Sequence, residues 1–185
     1  LRIIGGEYKA RIIPVPRYFR ARPTTDTAKE SLFNILANYF DFKKTRILDL
    51  FSGTGSIALE FASRGAKQVS LVEINGRYAG FIHQTVSRLG ISQIQVIRAD
   101  ALKFIRNASE RFDIIFADPP YDMQGIEILP DEVFKSGLLL KEGWFILEHG
   151  RAHDFSGHPN FFQMRKYGSV HFTMFVNRES EEESE

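Results

Sequence analysis

Apolar positions recur along this chain with two periods. From residue 45 onward, short apolar runs alternate with segments of helical spacing, at intervals that suit βα units. The first run, Arg46-Ile47-Leu48-Asp49-Leu50-Phe51, passes through the turn Ser52-Gly53-Thr54-Gly55 into a helix carrying Ile57, Leu59, Phe61 and Ala62. Val69 to Glu73 forms a second strand, followed by a helix over 75–89 that ends at Gly90. Ile94 to Ile97 is the third, with a short helix after Asp100, and Phe112 to Ala117 the fourth. A helix around 127–136 leads to a fifth, Trp144 to Glu148. Near-continuous apolar runs in the first and fourth strands predict burial on both faces, as in a parallel sheet covered by helices.

The pattern changes at both ends. Phe161 to Tyr167 and Val170 to Val176 are separated only by Gly168-Ser169. Two residues cannot make a parallel crossover, so these strands form a hairpin and the sheet is mixed at one edge. Ahead of the sheet, Ala28, Leu32, Ile35, Leu36 and Tyr39 share one helical face. Thr27 with Glu30 fits a capping box there, and Pro23 discourages an earlier start. Residues 2–16, with Gly5-Gly6, two prolines and four isoleucines, predict a short β-ribbon.

A length of 185 residues suits one core. With 43% hydrophobic and 25% charged residues, the composition excludes a mainly disordered or collagenous chain. The absence of cysteine excludes a disulfide framework, a thiolate zinc site and a cysteine nucleophile. No apolar run approaches the roughly 18 residues that span a bilayer, and no export signal is visible, so a cytoplasmic protein with no membrane partner is expected. A monomer is expected as well.

The net charge of +1 conceals opposed blocks. Arg2, Lys9, Arg11, Arg17, Arg20 and Arg22 face only Glu7 within residues 1–22, whereas 179–185 contribute five glutamates. Without that acidic tail the formal charge is +6, which favours a polyanionic partner. Three segments are therefore expected: a basic extension over 1–44, a catalytic domain over 45–178 and a disordered tail over 179–185.

Candidate chemistry gathers at strand ends. Gly53 and Gly55 would let a ligand lie against backbone N–H groups. Gly53 to Ala58 also satisfies G-x-G-x-x-A, with Glu73 about 20 residues on. Asp49, Glu73, Asp100 and Asp118 close or follow four strands, the edge where open α/β sheets bind ligands. Together they suit a cationic, hydroxyl-rich ligand such as a sulfonium cofactor with a ribose better than a pyrophosphate. Asp118-Pro119-Pro120-Tyr121 supplies a second signal. Its prolines restrict φ, so the Asp118 side chain and Pro119 carbonyl can act as paired acceptors for an amine, with Tyr121 stacking on a base. His149, His153 and His158 lack a companion ligand cluster, and no metal is expected.

These residues resemble the class I S-adenosylmethionine-dependent methyltransferases, in the amino-methylating branch marked by [D/N]-P-P-[Y/F]. Arg2-Ile3-Ile4-Gly5-Gly6, Arg22-Pro23-Thr24-Thr25-Asp26, Glu30-Ser31-Leu32-Phe33-Asn34, Leu48 to Gly55 and Asp118 to Tyr121 are similar to the ribosomal small-subunit methyltransferase D family. The resemblance implies an α/β, Rossmann-like fold: a seven-stranded, mostly parallel sheet with an antiparallel last strand, plus the N-terminal ribbon and helix. It implies methyl transfer from S-adenosyl-L-methionine to guanine N2 of 16S rRNA, naked or in the assembling small subunit. Asp49, Ser52, Gly53, Gly55, Glu73, Ile74, Asp100 and Ala101 would then line the cofactor pocket, and Asp118, Pro119, Pro120 and Tyr121 would hold the guanine. The basic N-terminal ribbon, with the six basic residues of the front, and the Arg22 to Asp26 segment would meet RNA or close over the site. The acidic tail is not part of the family pattern.

Three other functions fit part of the sequence. An adenine-N6 methyltransferase acting on DNA or RNA could use the same tetrapeptide, although no separate target-recognition domain is visible. A nicotinamide dehydrogenase accounts for the glycines and Glu73 but leaves Asp118 to Tyr121 idle. A noncatalytic RNA-binding protein would need only the basic front.

Overall fold

The computed structural model describes residues 1–20 and 23–178. Arg22 and the predicted acidic tail lie outside the described residues. Seven strands, β1 (Arg46–Leu50), β2 (Gln68–Glu73), β3 (Ile94–Arg98), β4 (Phe112–Ala117), β5 (Leu139–His149), β6 (Phe161–Tyr167) and β7 (Val170–Val176), form one sheet in the order β3-β2-β1-β4-β5-β7-β6. The first five are mutually parallel, and β7 runs antiparallel to both β5 and β6. The hairpin is as expected, but its second strand inserts between β5 and the edge strand β6.

Five helices, α1 (Asp26–Ala37), α2 (Ser56–Ser63), α3 (Gly76–Leu89), α4 (Ala101–Asn107) and α5 (Leu129–Ser136), cover the sheet. Alternate strand residues explain the continuous apolar runs. Ile47, Ile114, Phe116 and Ile146 pack with α1, α2 and α3, whereas Leu48, Ile115, Ala117 and Phe145 pack with α4 and α5. Winding outward from β1 in opposite directions leaves a crevice at the carboxyl ends of β1 and β4, the topological switch point.

Some boundaries moved. Thr25, rather than Thr27, caps α1, accepting a hydrogen bond from the Ala28 N–H at 3.2 Å; Thr27 lies inside the first turn. Tyr39 lies past the end of α1 and is exposed, its ring packed against Trp144. Strand β5 begins five residues before Trp144, because the polar Lys141-Glu142-Gly143 segment is absorbed as a bulge. Glu142 there has φ 61°, its N–H bonds to the Asn177 carbonyl, and the Asn177 amide donates to the Leu139 carbonyl. The ribbon contracts to one antiparallel bridge, Arg2 with Ile12, from which Ile3 and Ile13 point into the core.

The N-terminal segment is fastened by a buried carboxylate. Glu60 of α2 is fully buried and accepts from the Ile4 and Gly5 N–H groups at 3.0 and 2.9 Å and from Arg64 at 2.9 Å. Lys29 of α1 lies 3.6 Å from Glu60 and donates to the Arg2 carbonyl and the Ser56 hydroxyl. Burial lowers the Lys29 pKa, and the Glu60 charge opposes that shift. Glu60→Ala would leave the buried Lys29 ammonium without its counter-charge and the Ile4 and Gly5 N–H groups without their acceptor. It is expected to destabilise the protein by about 3–5 kcal/mol in urea denaturation, whereas a loss below about 1 kcal/mol would mean that this network is dispensable.

Candidate active site

The crevice opens into a cavity of about 1010 Å³. Its floor is built by strand ends. Asp49 sits one residue before the end of β1, and Phe51 follows with φ 56°, a strained conformation for a bulky residue. This bend carries the chain into Ser52 and Gly53. Gly53 has φ 56° and nothing within 4 Å of where a Cβ would stand, so its backbone is open to a ligand. Gly55, at φ 79°, caps α2 from behind and does not line the cavity; a Cβ there would approach Ile82 at 3.2 Å.

Glu73 ends β2 beneath the same turn. Its two carboxylate oxygens accept from the Gly53 N–H at 2.8 Å and the Asn75 N–H at 2.9 Å. Thus Glu73 shapes the glycine turn while keeping one lone pair on each oxygen for a ligand. Asp100 caps α4, accepting from the Lys103 N–H at 2.9 Å, and also borders the cavity. Ser52, Ile74 and Ala101 line it too.

Asp49 is the most enclosed of these acids, 1% exposed, and its Oδ2 has no hydrogen-bond partner among the described residues. Burial pushes its pKa up to about 8, hydrogen bonds from Ser52 and Ala58 offset part of that rise, and the charges of Glu73 and Glu148 add to it. Such an orphaned acceptor in a cavity wall is expensive unless a ligand supplies positive charge or a donor.

Across the crevice, Asp118 follows β4 with Pro119 buried and Pro120 exposed. Burial raises the Asp118 pKa well above the ordinary value, and the charges of Glu148 and Asp49 add to the rise. Tyr121 is 73% exposed at the cavity mouth, close to Gly150. All four residues of the tetrapeptide line the cavity.

Of the predicted basic residues, Arg20 alone among those described reaches the cavity wall. Arg2 pairs with Asp26 at 2.9 Å, and Lys9, Arg11 and Arg17 are exposed away from the wall. Among the cavity residues to which the sequence had assigned no role are Tyr78, Glu148 and Arg151. Glu148 obeys the strand-end rule that selected the other acids and could have been found by extending that rule to β5. Thr24 belongs to the Arg22 to Asp26 segment quoted from the sequence, but its bond to Glu148, 124 positions away, carried no local signal. Tyr78 holds the preceding arm through its ring on Phe19, centroids 4.1 Å apart, and a long hydrogen bond from the Arg20 N–H.

The chain resembles known proteins over the same residues. Residues 1–176 match the sequence family described as conserved hypothetical protein 95. Ribosomal RNA small subunit methyltransferase D of Escherichia coli K12 is 31% identical over 148 residues, 80% of this chain and 74% of that one. The chain belongs to this methyltransferase D family. The Buchnera aphidicola (subspecies Baizongia pistaciae) protein of the same name is 29% identical over 96% of this chain and 92% of its own. The solved Thermus thermophilus protein TTHA0928 superposes with a TM-score of 0.84 at 30% identity, covering 95% of this chain and 98% of that one. At 15% identity, the precorrin-6y C5,15-methyltransferase of Geobacter metallireducens shares the fold alone, with a TM-score of 0.66 over 89% of this chain and 93% of its own. The sheet is that of the class I methyltransferases, as the family resemblance implied.

The three histidines singled out from the sequence make local bonds. His149 donates from Nδ1 to the Gly150 carbonyl and meets the Thr173 hydroxyl through Nε2 at 2.7 Å, while His153 and His158 approach Glu127 and Asp131.

Asp49 yields a stability prediction with a definite sign. Its folded pKa of about 8 exceeds the ordinary 3.8, so the unfolded chain ionises first and wild-type stability falls as pH rises between these values. Asp49→Asn removes that titration. Its Tm, relative to wild type without ligand, is expected to climb steadily from pH 5 to pH 8; a gap independent of pH would refute the buried, unpaired carboxyl.

Proposed function

We propose that this chain transfers a methyl group from S-adenosylmethionine to the exocyclic N2 amine of a guanine in 16S rRNA. The carrying observation is the meeting of two walls in one cavity: Asp49, Gly53, Glu73 and Asp100 on one side, and Asp118 to Tyr121 on the other. The family's named members act on small-subunit ribosomal RNA, which supports the substrate class and, with it, a cytoplasmic site of action. Among the described residues no helix is long and apolar enough to cross a membrane.

The first wall fits the cofactor. Asp49 Oδ2 lacks a donor and Gly53 leaves open backbone, the features required by a cationic amino-acid sulfonium. Glu73 has lone pairs for ribose hydroxyls, and Asp100 stands beside it for an adenine amine. S-adenosylmethionine, when bound, supplies an electrophilic methyl group.

The second wall prepares the amine. A nucleobase NH2 delocalises its lone pair into the ring, so it attacks poorly unless its N–H bonds are drawn out of plane. The Asp118 carboxylate and Pro119 carbonyl accept those two N–H bonds and direct the lone pair toward the opposite wall. Positioning of this kind contributes up to about 7–11 kcal/mol in well-oriented systems. The amine loses one proton as its new bond forms, and a raised pKa suits Asp118 to receive it near neutral pH. Tyr121 offers a stacking face to the extruded base. Arg20 at the wall and the exposed Lys9, Arg11 and Arg17 provide phosphate contacts, to which Arg2 and Arg22 add charge.

Nucleoside mass spectrometry on rRNA incubated with the protein and S-adenosylmethionine tests this function. N2-methylguanosine is the expected product; N6-methyladenosine alone would favour the adenine alternative. Asp118→Ala is expected to lower kcat/KM by roughly 100-fold or more while still binding S-adenosylhomocysteine. Because the active carboxylate must be ionised, wild-type kcat/KM should fall on acidification with a midpoint well above the ordinary 3.8. A profile flat down to pH 5 would contradict that role.

A further inference from the structure

Glu148 lies at the end of β5, on the strand next to the catalytic tetrapeptide. Ala117 of β4 pairs in register with Leu147 of β5, so Asp118 and Glu148 follow on adjacent strands at the same level. Both border the cavity, and the charge of Glu148 helps to raise the Asp118 pKa. Glu148 is 5% exposed, and its Oε2 accepts a hydrogen bond from the buried Thr24 hydroxyl at 2.8 Å. Thr24 is held by the capped start of α1, where Thr25 is the cap.

A second carboxylate beside Asp118 has a cost. Two neighbouring carboxylates repel, and burial raises the Glu148 pKa to about 7 even though the Thr24 hydrogen bond lowers it. The Thr24 hydrogen bond offsets only part of that cost. A ligand with two adjacent donors would relieve more of it, and the nucleobases differ in this respect. Along its Watson–Crick edge guanine places an N1–H donor next to its N2 amine. Adenine places an unprotonated N1 acceptor next to its N6 amine, and a carboxylate facing that atom is repelled.

We propose that Glu148 is the specificity-determining residue of this site: its carboxylate, oriented by Thr24, accepts the N1–H of guanine while Asp118 and Pro119 hold the N2 amine. This inference rests on the function proposed above. It explains how a tetrapeptide that suits any exocyclic amine is confined to guanine, and it gives the segment before α1 a part in base choice.

The test compares rRNA bearing the mapped target guanine with the same RNA carrying 2-aminopurine there, which keeps the C2 amine but has an N1 acceptor. Wild type is expected to prefer guanine in kcat/KM by on the order of 10- to 100-fold, the worth of one charge-assisted hydrogen bond. Glu148→Gln should erase most of that preference, losing activity on guanine and not on 2-aminopurine, whose N1 the amide N–H can meet. Equal losses on both substrates, or a wild type indifferent to the replacement, would overturn the assignment. Should Glu148→Gln fail to bind S-adenosylhomocysteine in calorimetry, Thr24→Val replaces it. A smaller drop in guanine preference is then expected, and an unchanged preference overturns the proposal. Absence of N2-methylguanosine from the wild-type product would instead defeat the proposed function itself. N2-methylguanosine with an undiminished preference in Glu148→Gln would defeat only the role of Glu148.

Discussion

Negative charge collects at one edge of the sheet because the chain reverses its winding between β1 and β4 and leaves the carboxyl ends of those strands uncovered. Asp49, Glu73, Asp118 and Glu148 end or nearly end four adjacent strands and face a single cavity. Two of them, Glu73 and Glu148, are partly satisfied by Gly53, Asn75 and Thr24, and burial raises the pKa values of Asp49, Asp118 and Glu148. Like charges in a poorly hydrated cleft are costly to the protein alone. A cationic cofactor and, in the proposed reaction, a base rich in N–H donors would relieve that cost, coupling binding energy to the positions where the reaction needs acceptors.

The rest of the molecule keeps this edge rigid. Glycine turns and caps set the entrances to α2, α3 and α4, through Gly55, Asn75 and Asp100. On the opposite side of α2, Glu60 and Lys29 join α1, the first residues of the chain and Ser56 at the cavity wall. The basic front therefore shares one hydrophobic cluster with the sheet: Ile3, Ile13, Leu32 and Phe61 belong to it together. The residues proposed to meet phosphate and those proposed to choose the base are thus mounted on one packed body, and Tyr78 adds a further clasp on the arm through Phe19.

The βα alternation was legible because the strands carry short apolar runs, near-continuous in β1 and β4, and each helix has a glycine, asparagine or aspartate at its border. The strand-end acids and the Asp118 to Tyr121 segment were legible for a related reason, since an α/β sheet places strand ends together whatever their distance along the chain. Where local signals competed, the reading slipped. Thr25 and Thr27 are both capping residue types, and which one caps depends on how α1 docks against α2. The polar triplet Lys141 to Gly143 reads as a break, yet Asn177 supplies the hydrogen bonds that let β5 pass through it as a bulge.

By itself, then, the sequence determined the α/β class, the parallel core, the hairpin, the glycine turn and the acids that end the first four strands, because each depends on period, turn chemistry or neighbours a few residues away. Tertiary structure alone decided the insertion of β7 inside β6, the fastening of the front by Glu60, and the pairing of Thr24 with Glu148. Each of these joins groups remote in sequence. Their energies come from burial and from hydrogen bonds that no local pattern encodes, so they exist only once the sheet has brought those groups together.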